Sequence, residues 1–223
     1  MNKKKVFLIL LIFSIIILGA IFLLRNDNKK LISGNNIVKS KEQLEEYILN
    51  INSYEAEVEV TVNSNKNTNK YLLKQQYYKP DVFKQEVLEP DNIAGVKITL
   101  NGNALSLENS KLTLTQVFED YQYIGENFLC LDNFIENYRE NSNYIEQENE
   151  IILETLSKSS ENKYAIYQKL SIDKNTGLPT KLEVQDNNQN TLVYILYKEI
   201  KINSTKKEEI IAFELSYDKM INL

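Results

Sequence analysis

The chain has no histidine, no tryptophan and one cysteine among its 223 residues. Without histidine it lacks the base of Ser-His-Asp and Cys-His catalytic sites and the usual imidazole ligand of zinc sites. A single cysteine, Cys130, excludes a disulfide within the chain. Its apolar neighbours, residues 128–131, favour a buried and inert thiol. The sequence therefore predicts a protein that is not an enzyme, with no catalytic residues, no cofactor and no metal site.

Two clusters of acidic side chains are better explained by folding than by chemistry. Glu55, Glu57 and Glu59 alternate along one stretch, as on the solvated face of a strand. Residues 173–177 loosely resemble a calcium-binding loop, but their glycine comes one position early and no downstream glutamate completes the ligand set. A tight turn is the better prediction there.

The distribution of charge argues against nucleic acid as a partner. Residues 1–30 hold six of the 26 basic side chains and only one of the 31 acidic ones. The remainder of the chain therefore carries a net charge of −10. A domain of that charge repels phosphate backbones.

A run of nineteen uncharged residues, Val6–Leu24, follows Lys3, Lys4 and Lys5. As a helix it would be about 28 Å long, close to the roughly 30 Å hydrocarbon core of a bilayer. A cleaved signal peptide is the alternative, but apolar residues continue to Leu24 without an Ala-x-Ala site. We therefore expect an uncleaved membrane anchor.

The anchor sets the expected domain organisation and location. Residues 1–25 are predicted to form the anchor, 26–38 a linker, and 39–223 one extracytoplasmic domain. The basic N-terminus favours an orientation with the C-terminal domain outside the cytoplasm. A single-pass protein of the cell membrane is the resulting expectation.

The domain is predicted to begin with a helix. Ser40 and Gln43 form a capping box, and an apolar stripe follows at helical spacing. A second short helix is predicted over Leu131 to Arg139, and a mobile polar loop over Asn141 to Asn149. Strands are predicted at 54–62, 71–78, 82–88, 96–100, 104–107, 112–118, 151–156, 164–172, 181–185, 191–202 and 210–215.

Sequential strands joined by short turns predict an α+β fold that is mainly antiparallel β. Asn101-Gly102 predicts a type I′ hairpin turn, in which both central residues have positive φ. A sheet of this length curls, so we expect an open, unclosed β-barrel with the helices on its concave face. The candidate lining of that hydrophobic concavity is Val58, Val60, Ile98, Leu100, Leu182 and Val184.

Several segments resemble the lipoprotein-carrier (LolA/RseB-like) superfamily. They are residues 170–184 with the strand after them, Tyr77-Tyr78-Lys79-Pro80 with Phe83 and Glu86, and Asn101-Gly102 after a strand. The order of a leading helix, a Tyr-x-Ala strand and a meander is also similar, over roughly residues 39–215. Within the superfamily the chain looks most like the germination lipoprotein GerS and its relatives.

The resemblance implies a LolA-like open barrel whose apolar concavity is lidded by helices. For the germination branch it also implies a non-enzymatic partner of the spore-cortex N-acetylmuramoyl-L-alanine amidase, the enzyme that starts muramic-δ-lactam formation. The chain departs from that branch because it lacks the lipidated cysteine. Its attachment to the membrane would be through Val6–Leu24 instead, and the resemblance implies the forespore intermembrane space as a candidate compartment for the domain.

Two other functions fit the same sequence. A lipid or lipoprotein carrier would use the six concavity residues as a binding surface, although a fixed anchor argues against shuttling. An RseB-like sensor would restrain a membrane partner. In each case an exposed edge strand could pair with a second copy to form a homodimer.

Overall fold

The computed structural model describes residues 39–121, 128–157, 167–208 and 210. The predicted anchor, Val6–Leu24, and the predicted linker lie outside these residues. Within the described ranges, no helix has both the length and the hydropathy needed to cross a bilayer. All described residues belong to one unit of the chain, which begins at Val38.

The first helix, α1 (Lys41–Leu49), begins as the capping box predicts. The Ser40 side chain accepts from the Gln43 backbone N–H, and the Gln43 side chain accepts from the Ser40 N–H at 3.0 Å. These two bonds satisfy donors that a helix N-terminus would otherwise leave unpaired. The second helix, α2 (Leu131–Glu140), matches its prediction to within one residue.

Within the described ranges, eleven strands make up a single sheet in which all pairs are antiparallel. The first six precede α2: β1 (Ser53–Asn63), β2 (Thr68–Tyr78), β3 (Val82–Glu89), β4 (Val96–Asn101), β5 (Ala104–Asn109) and β6 (Leu114–Phe118). Five follow α2: β7 (Asn143–Glu146), β8 (Glu150–Leu156), β9 (Tyr167–Asp173), β10 (Pro179–Gln185) and β11 (Thr191–Ile202).

The strand order is β6-β5-β4-β3-β2-β1-β11-β10-β9-β8-β7. Two meanders therefore meet where β1 pairs with β11, for example Val60 opposite Ile195. β6 and β7 are the outer strands, and they do not pair with each other. The prediction of an unclosed, mainly antiparallel sheet with two helices is confirmed.

Three local predictions were wrong. The hairpin loop is Gly102-Asn103, because Asn101 pairs with Ala104, and only Gly102 has positive φ. That pattern belongs to a type II′ turn rather than type I′. The polar segment predicted as a loop contains the short strand β7. Ile210 is helical instead of starting a strand, and residues 211–215 lie outside the described ranges.

The core lies between the two helices and one face of the sheet, which we call the inner face. From the sheet it receives Tyr54, Ala56, Val58, Leu73 and Tyr77 among others, which alternate with outward side chains. From α1 it receives Leu44 and Ile48, and from α2 Leu131, Phe134, Ile135 and Tyr138. The segment 173–177 forms a turn in which the Asp173 carboxylate accepts from Asn175 and Thr176.

Candidate functional site

The six predicted concavity residues all lie on the inner face but in two environments. Val58, Val60, Leu182 and Val184 are buried, with at most 1% of their surface exposed. Ile98 and Leu100, on β4, are half-buried. Val58, Val60 and Leu182 belong to one core cluster with the helices, whereas Val184 is buried on β10 outside that cluster, and Ile98 and Leu100 lie toward the β6 end of the sheet. Whether any of them contacts a ligand stays a prediction.

A layer of amide side chains lies between α2 and the inner face. Gln75 donates to the backbone oxygen of Leu129 at 3.0 Å and to Gln85 Oε1 at 3.2 Å. The bond to Leu129 holds the segment that leads into α2 over the middle of the sheet. Both glutamines are buried, and they face each other across β2 and β3.

The same layer continues along α2 toward β9. Asn137 donates to Gln168 Oε1 at 2.9 Å, and Gln168 donates to Asn133 Oδ1 at 3.3 Å. Asn137 is 2% exposed and Gln168 is fully buried. Sequence reasoning missed this layer, although Gln75 and Gln168 stand at inward positions of strands that otherwise alternate apolar with polar residues. An amide at an inward position is the signal that could have revealed it.

At the start of α2 a hydroxyl replaces the missing side-chain cap. Cys130 occupies the N-cap position without a side-chain hydrogen bond to the helix. The backbone N–H of Leu131 instead donates to the Tyr54 hydroxyl at 3.3 Å, which also lies 3.4 Å from Cys130 Sγ. Tyr54 therefore ties the first turn of α2 to β1 in a fully buried position.

Three buried polar atoms near this point have no hydrogen-bond partner among the described residues. They are Gln75 Oε1, the Tyr77 hydroxyl and the Tyr197 hydroxyl. Tyr77 lies beside Asp132, close enough for the two groups to influence each other electrostatically, but without standard hydrogen-bond geometry. Unpaired buried polar atoms are unusual, since each carries a desolvation penalty of about 1–3 kcal/mol.

Burial favours the neutral forms of the cysteine and the tyrosines of this region. It raises the pKa of Cys130 to about 11, and it raises the pKa of Tyr54, Tyr77 and Tyr197 above the usual value of tyrosine. Cys130 is thus a thiol at neutral pH rather than a nucleophilic thiolate. The arrangement offers hydroxyl donors and an amide oxygen in an apolar setting, which suits contacts with a neutral group rather than nucleophilic attack.

The opposite face of the sheet, the outer face, is charged and solvated. Glu59 pairs with Lys198 at 3.1 Å, and Glu55 accepts from Gln76 at 2.8 Å. The prediction that the glutamates of β1 share a face is confirmed by their register. Across the described ranges, no three His, Cys, Asp or Glu side chains come together in a way that could hold a metal ion.

Solved structures with a similar arrangement include three of interest. One is the CwlD amidase of Clostridioides difficile in complex with the GerS lipoprotein, at 24% identity, covering 78% of this chain and 99% of that chain, with a TM-score of 0.41. A LolA superfamily protein from Nitrosomonas europaea is 11% identical over 77% of this chain and 97% of its own, with a TM-score of 0.40. The match to the Pseudomonas aeruginosa MucA/MucB complex is 9% identical and covers 74% of this chain and 56% of that chain, with a TM-score of 0.42. Likeness at this level says nothing about partners or activity.

No curated protein sequence gave a significant match to the chain. The family model described as sporulation protein YdcC-like does match, over residues 3–211. That span includes both helices and all eleven strands of the structure. The chain therefore belongs to the YdcC-like family of sporulation proteins.

Proposed function

We propose that this chain is a non-enzymatic, membrane-anchored protein of spore formation that binds and supports a cortex peptidoglycan amidase outside the cytoplasm. The observation that carries the proposal is the family match over residues 3–211, which assigns the chain to sporulation. The sequence resemblance to the germination lipoproteins names the amidase as the partner to test. Binding is the class of activity that fits the neutral, buried groups beneath α2.

In this proposal Val6–Leu24 holds the domain at the membrane where the cortex is made. A protein that supports an enzyme at that surface gains from attachment, because tethering raises its effective concentration near membrane-associated partners. Protease treatment of intact protoplasts from vegetative cells that express the chain tests the orientation, because the domain would there face the medium rather than the space around a forespore. Degradation of the domain without lysis is the expected result, and full protection until lysis would contradict it.

Co-purification tests the partner directly. The full chain, tagged at its C-terminus and solubilised from sporulating cells, is expected to retain the cortex amidase through washes at 50 and 300 mM salt. A tagged, unrelated single-pass protein from the same cells is the matched control. Recovery of the amidase at no higher level than with the control, at either salt concentration, would contradict the proposal.

Lipid binding is the second candidate, and the unpaired buried atoms favour it. Gln75 Oε1 and the hydroxyls of Tyr77 and Tyr197 are buried without a hydrogen-bond partner among the described residues, and polar atoms of a bound lipid could supply one. Native mass spectrometry of the chain purified without added lipid tests this candidate. A co-purifying lipid that disappears in Tyr77→Phe/Tyr197→Phe supports it, and a lipid-free mass contradicts it.

A further inference from the structure

β6 ends the sheet with its outer backbone edge unpaired among the described strands. Residues 112–118, which include the whole strand, carry no charge. Every residue of β6 is exposed, and Leu114, Val117 and Phe118 expose 58%, 52% and 42% of their surface. Exposed apolar edges of this kind invite pairing with another strand, because their N–H and C=O groups have no partner within the sheet.

The other edge strand, β7, is protected in the ways that natural sheets use. It is four residues long and carries Glu146, whose carboxylate accepts from Lys174 at 2.8 Å. Lys41 lies over the ring of Tyr144 at 4.4 Å. A short strand bearing a charge resists edge pairing. Both outer edges are unpaired within the described part of the chain, but β6 is the one without a charged side chain.

The inner face near β6 is also less covered than the rest of the sheet. Leu107 on β5 lies opposite Gln116 and is 37% exposed, while Leu105 lies opposite Phe118. The apolar surface therefore continues from the strand edge onto the inner face. An occupant has to supply both a strand and apolar side chains on that face.

We propose that the occupant is a second copy of this chain, paired antiparallel through β6 about a two-fold axis at Gln116. This register places Leu114 of one copy opposite Phe118 of the other, and Thr115 opposite Val117. Opposite residues then belong to the same face in both copies, so the two inner faces are continuous. The pairing joins aliphatic to aromatic and β-branched to β-branched side chains, which are favourable cross-strand pairs.

The charges at β6 and its flanks are compatible with pairing between two copies. Residues beyond position 30 carry a net charge of −10, so two copies repel each other over most surfaces. The uncharged strand avoids that repulsion. Beyond its ends, antiparallel pairing brings Lys111 of one copy toward Glu119 and Asp120 of the other. The strand is thus self-complementary at its centre and of opposite charge at its two flanks.

The first test is a charge exchange at the two-fold axis, where Gln116 meets Gln116 of the second copy. The full chain in a mild detergent is diluted and its mass followed by sedimentation velocity. Gln116→Lys and Gln116→Glu are each expected to weaken the dimer roughly tenfold or more, because like charges then lie directly opposite. Mixing the two variants is expected to restore the dimer. The side chain is exposed, so neither variant should impair folding, and circular dichroism checks this.

The second test uses cysteine at the same position. Opposite Cα atoms in an antiparallel pair lie about 4.5–5.5 Å apart, within the range of a disulfide. Gln116→Cys is expected to give an oxidised dimer, while the unmodified chain, whose Cys130 is buried, and Tyr144→Cys on β7 are not.

A chain that stays monomeric at all concentrations overturns the inference. So does a dimer that is insensitive to both charges at position 116, since the contact would then lie elsewhere. If β6 pairs only with a different protein, the purified chain stays monomeric, and the inference is again overturned. The amidase takes no part in these experiments, so their outcome is separate from that of the proposed function.

Discussion

Individual amide side chains beneath α2 hold the helix on the inner face of the sheet through hydrogen bonds. Asn137 and Gln168 each use their polar atoms on one another or on Asn133. Since both residues are almost fully buried, removal of one leaves the other without its partner in a nonpolar setting. The free energy of unfolding then falls by the cost of burying an unpaired polar group, which is larger than the net contribution of one hydrogen bond.

Asn137→Ala should therefore lower the free energy of unfolding by about 1–3 kcal/mol. Urea denaturation followed by circular dichroism measures this change. Asn143→Ala is the matched control, because Asn143 is exposed and bonds to Glu154 at the surface. The control should stay within about 0.5 kcal/mol of the parent chain. Equal effects of the two substitutions would contradict the account.

Two buried tyrosines make a second matched pair. The Tyr138 hydroxyl donates to Glu45 Oε1 at 3.0 Å, whereas the Tyr197 hydroxyl has no partner among the described residues. Tyr138→Phe should cost about 0.5–1.5 kcal/mol of stability, and Tyr197→Phe should be neutral or stabilising. Thermal unfolding of both variants checks the difference. A larger loss with Tyr197→Phe would show that its hydroxyl is hydrogen-bonded after all.

Asp132 in the first turn of α2 should make stability depend on pH. Burial raises its pKa, against the opposing effects of Tyr77, Lys79 and Arg139. The folded state then holds the proton at pH values where the unfolded chain has released it. Stability from this group is complete below the unfolded pKa, near 3.9, and falls as pH rises through the folded pKa.

Asp132→Asn removes this titration. The variant should gain stability relative to the parent chain as pH rises from 3.5 to 7, because only the parent must bury a charge at the higher pH. Urea denaturation across this range measures the difference between the two free energies of unfolding. A difference that is constant, or that is largest at acidic pH, would contradict the raised pKa.

At the scale of helices and strands, local patterns predicted most of the structure. The box of Ser40 and Gln43 and the alternation from Tyr54 to Val62 specify their elements by chemistry within a few residues. β7 was missed because Asn143–Glu146 is exposed on both faces and shows no alternation. The hairpin turn was misassigned because Asn101-Gly102 fits two registers, and only the observed pairing of Asn101 with Ala104 distinguishes them.

The cap of α1 gives a prediction at this scale. Ser40→Ala removes the acceptor for the Gln43 N–H and should lower stability by about 0.5–2 kcal/mol. Ser40→Asp, which retains a capping oxygen, should restore most of the loss, and thermal unfolding compares the three chains. Because α1 supplies Leu44 and Ile48 to the core, failure to lose stability would mean that packing alone fixes the helix.

For the whole molecule, the decisive contact is the pairing of β1 with β11. It joins positions about 140 residues apart, such as Val60 and Ile195, and local pattern carries no information about such a pairing. The same limit applies to the candidate site. The apolar residues of the site, including Val58 and Leu182, could be predicted from the alternation of apolar and polar residues along their strands. The amide layer could not, because it depends on where α2 crosses the sheet.

If this sporulation protein supports a cortex amidase, its loss should change the composition of the spore cortex. The most direct measurement is the muropeptide profile of spores from a strain that lacks the gene, beside the parent and a complemented strain. Loss of muramic-δ-lactam in the mutant and its return on complementation are the expected results. A mutant cortex with the same muramic-δ-lactam content as the parent would contradict the claim.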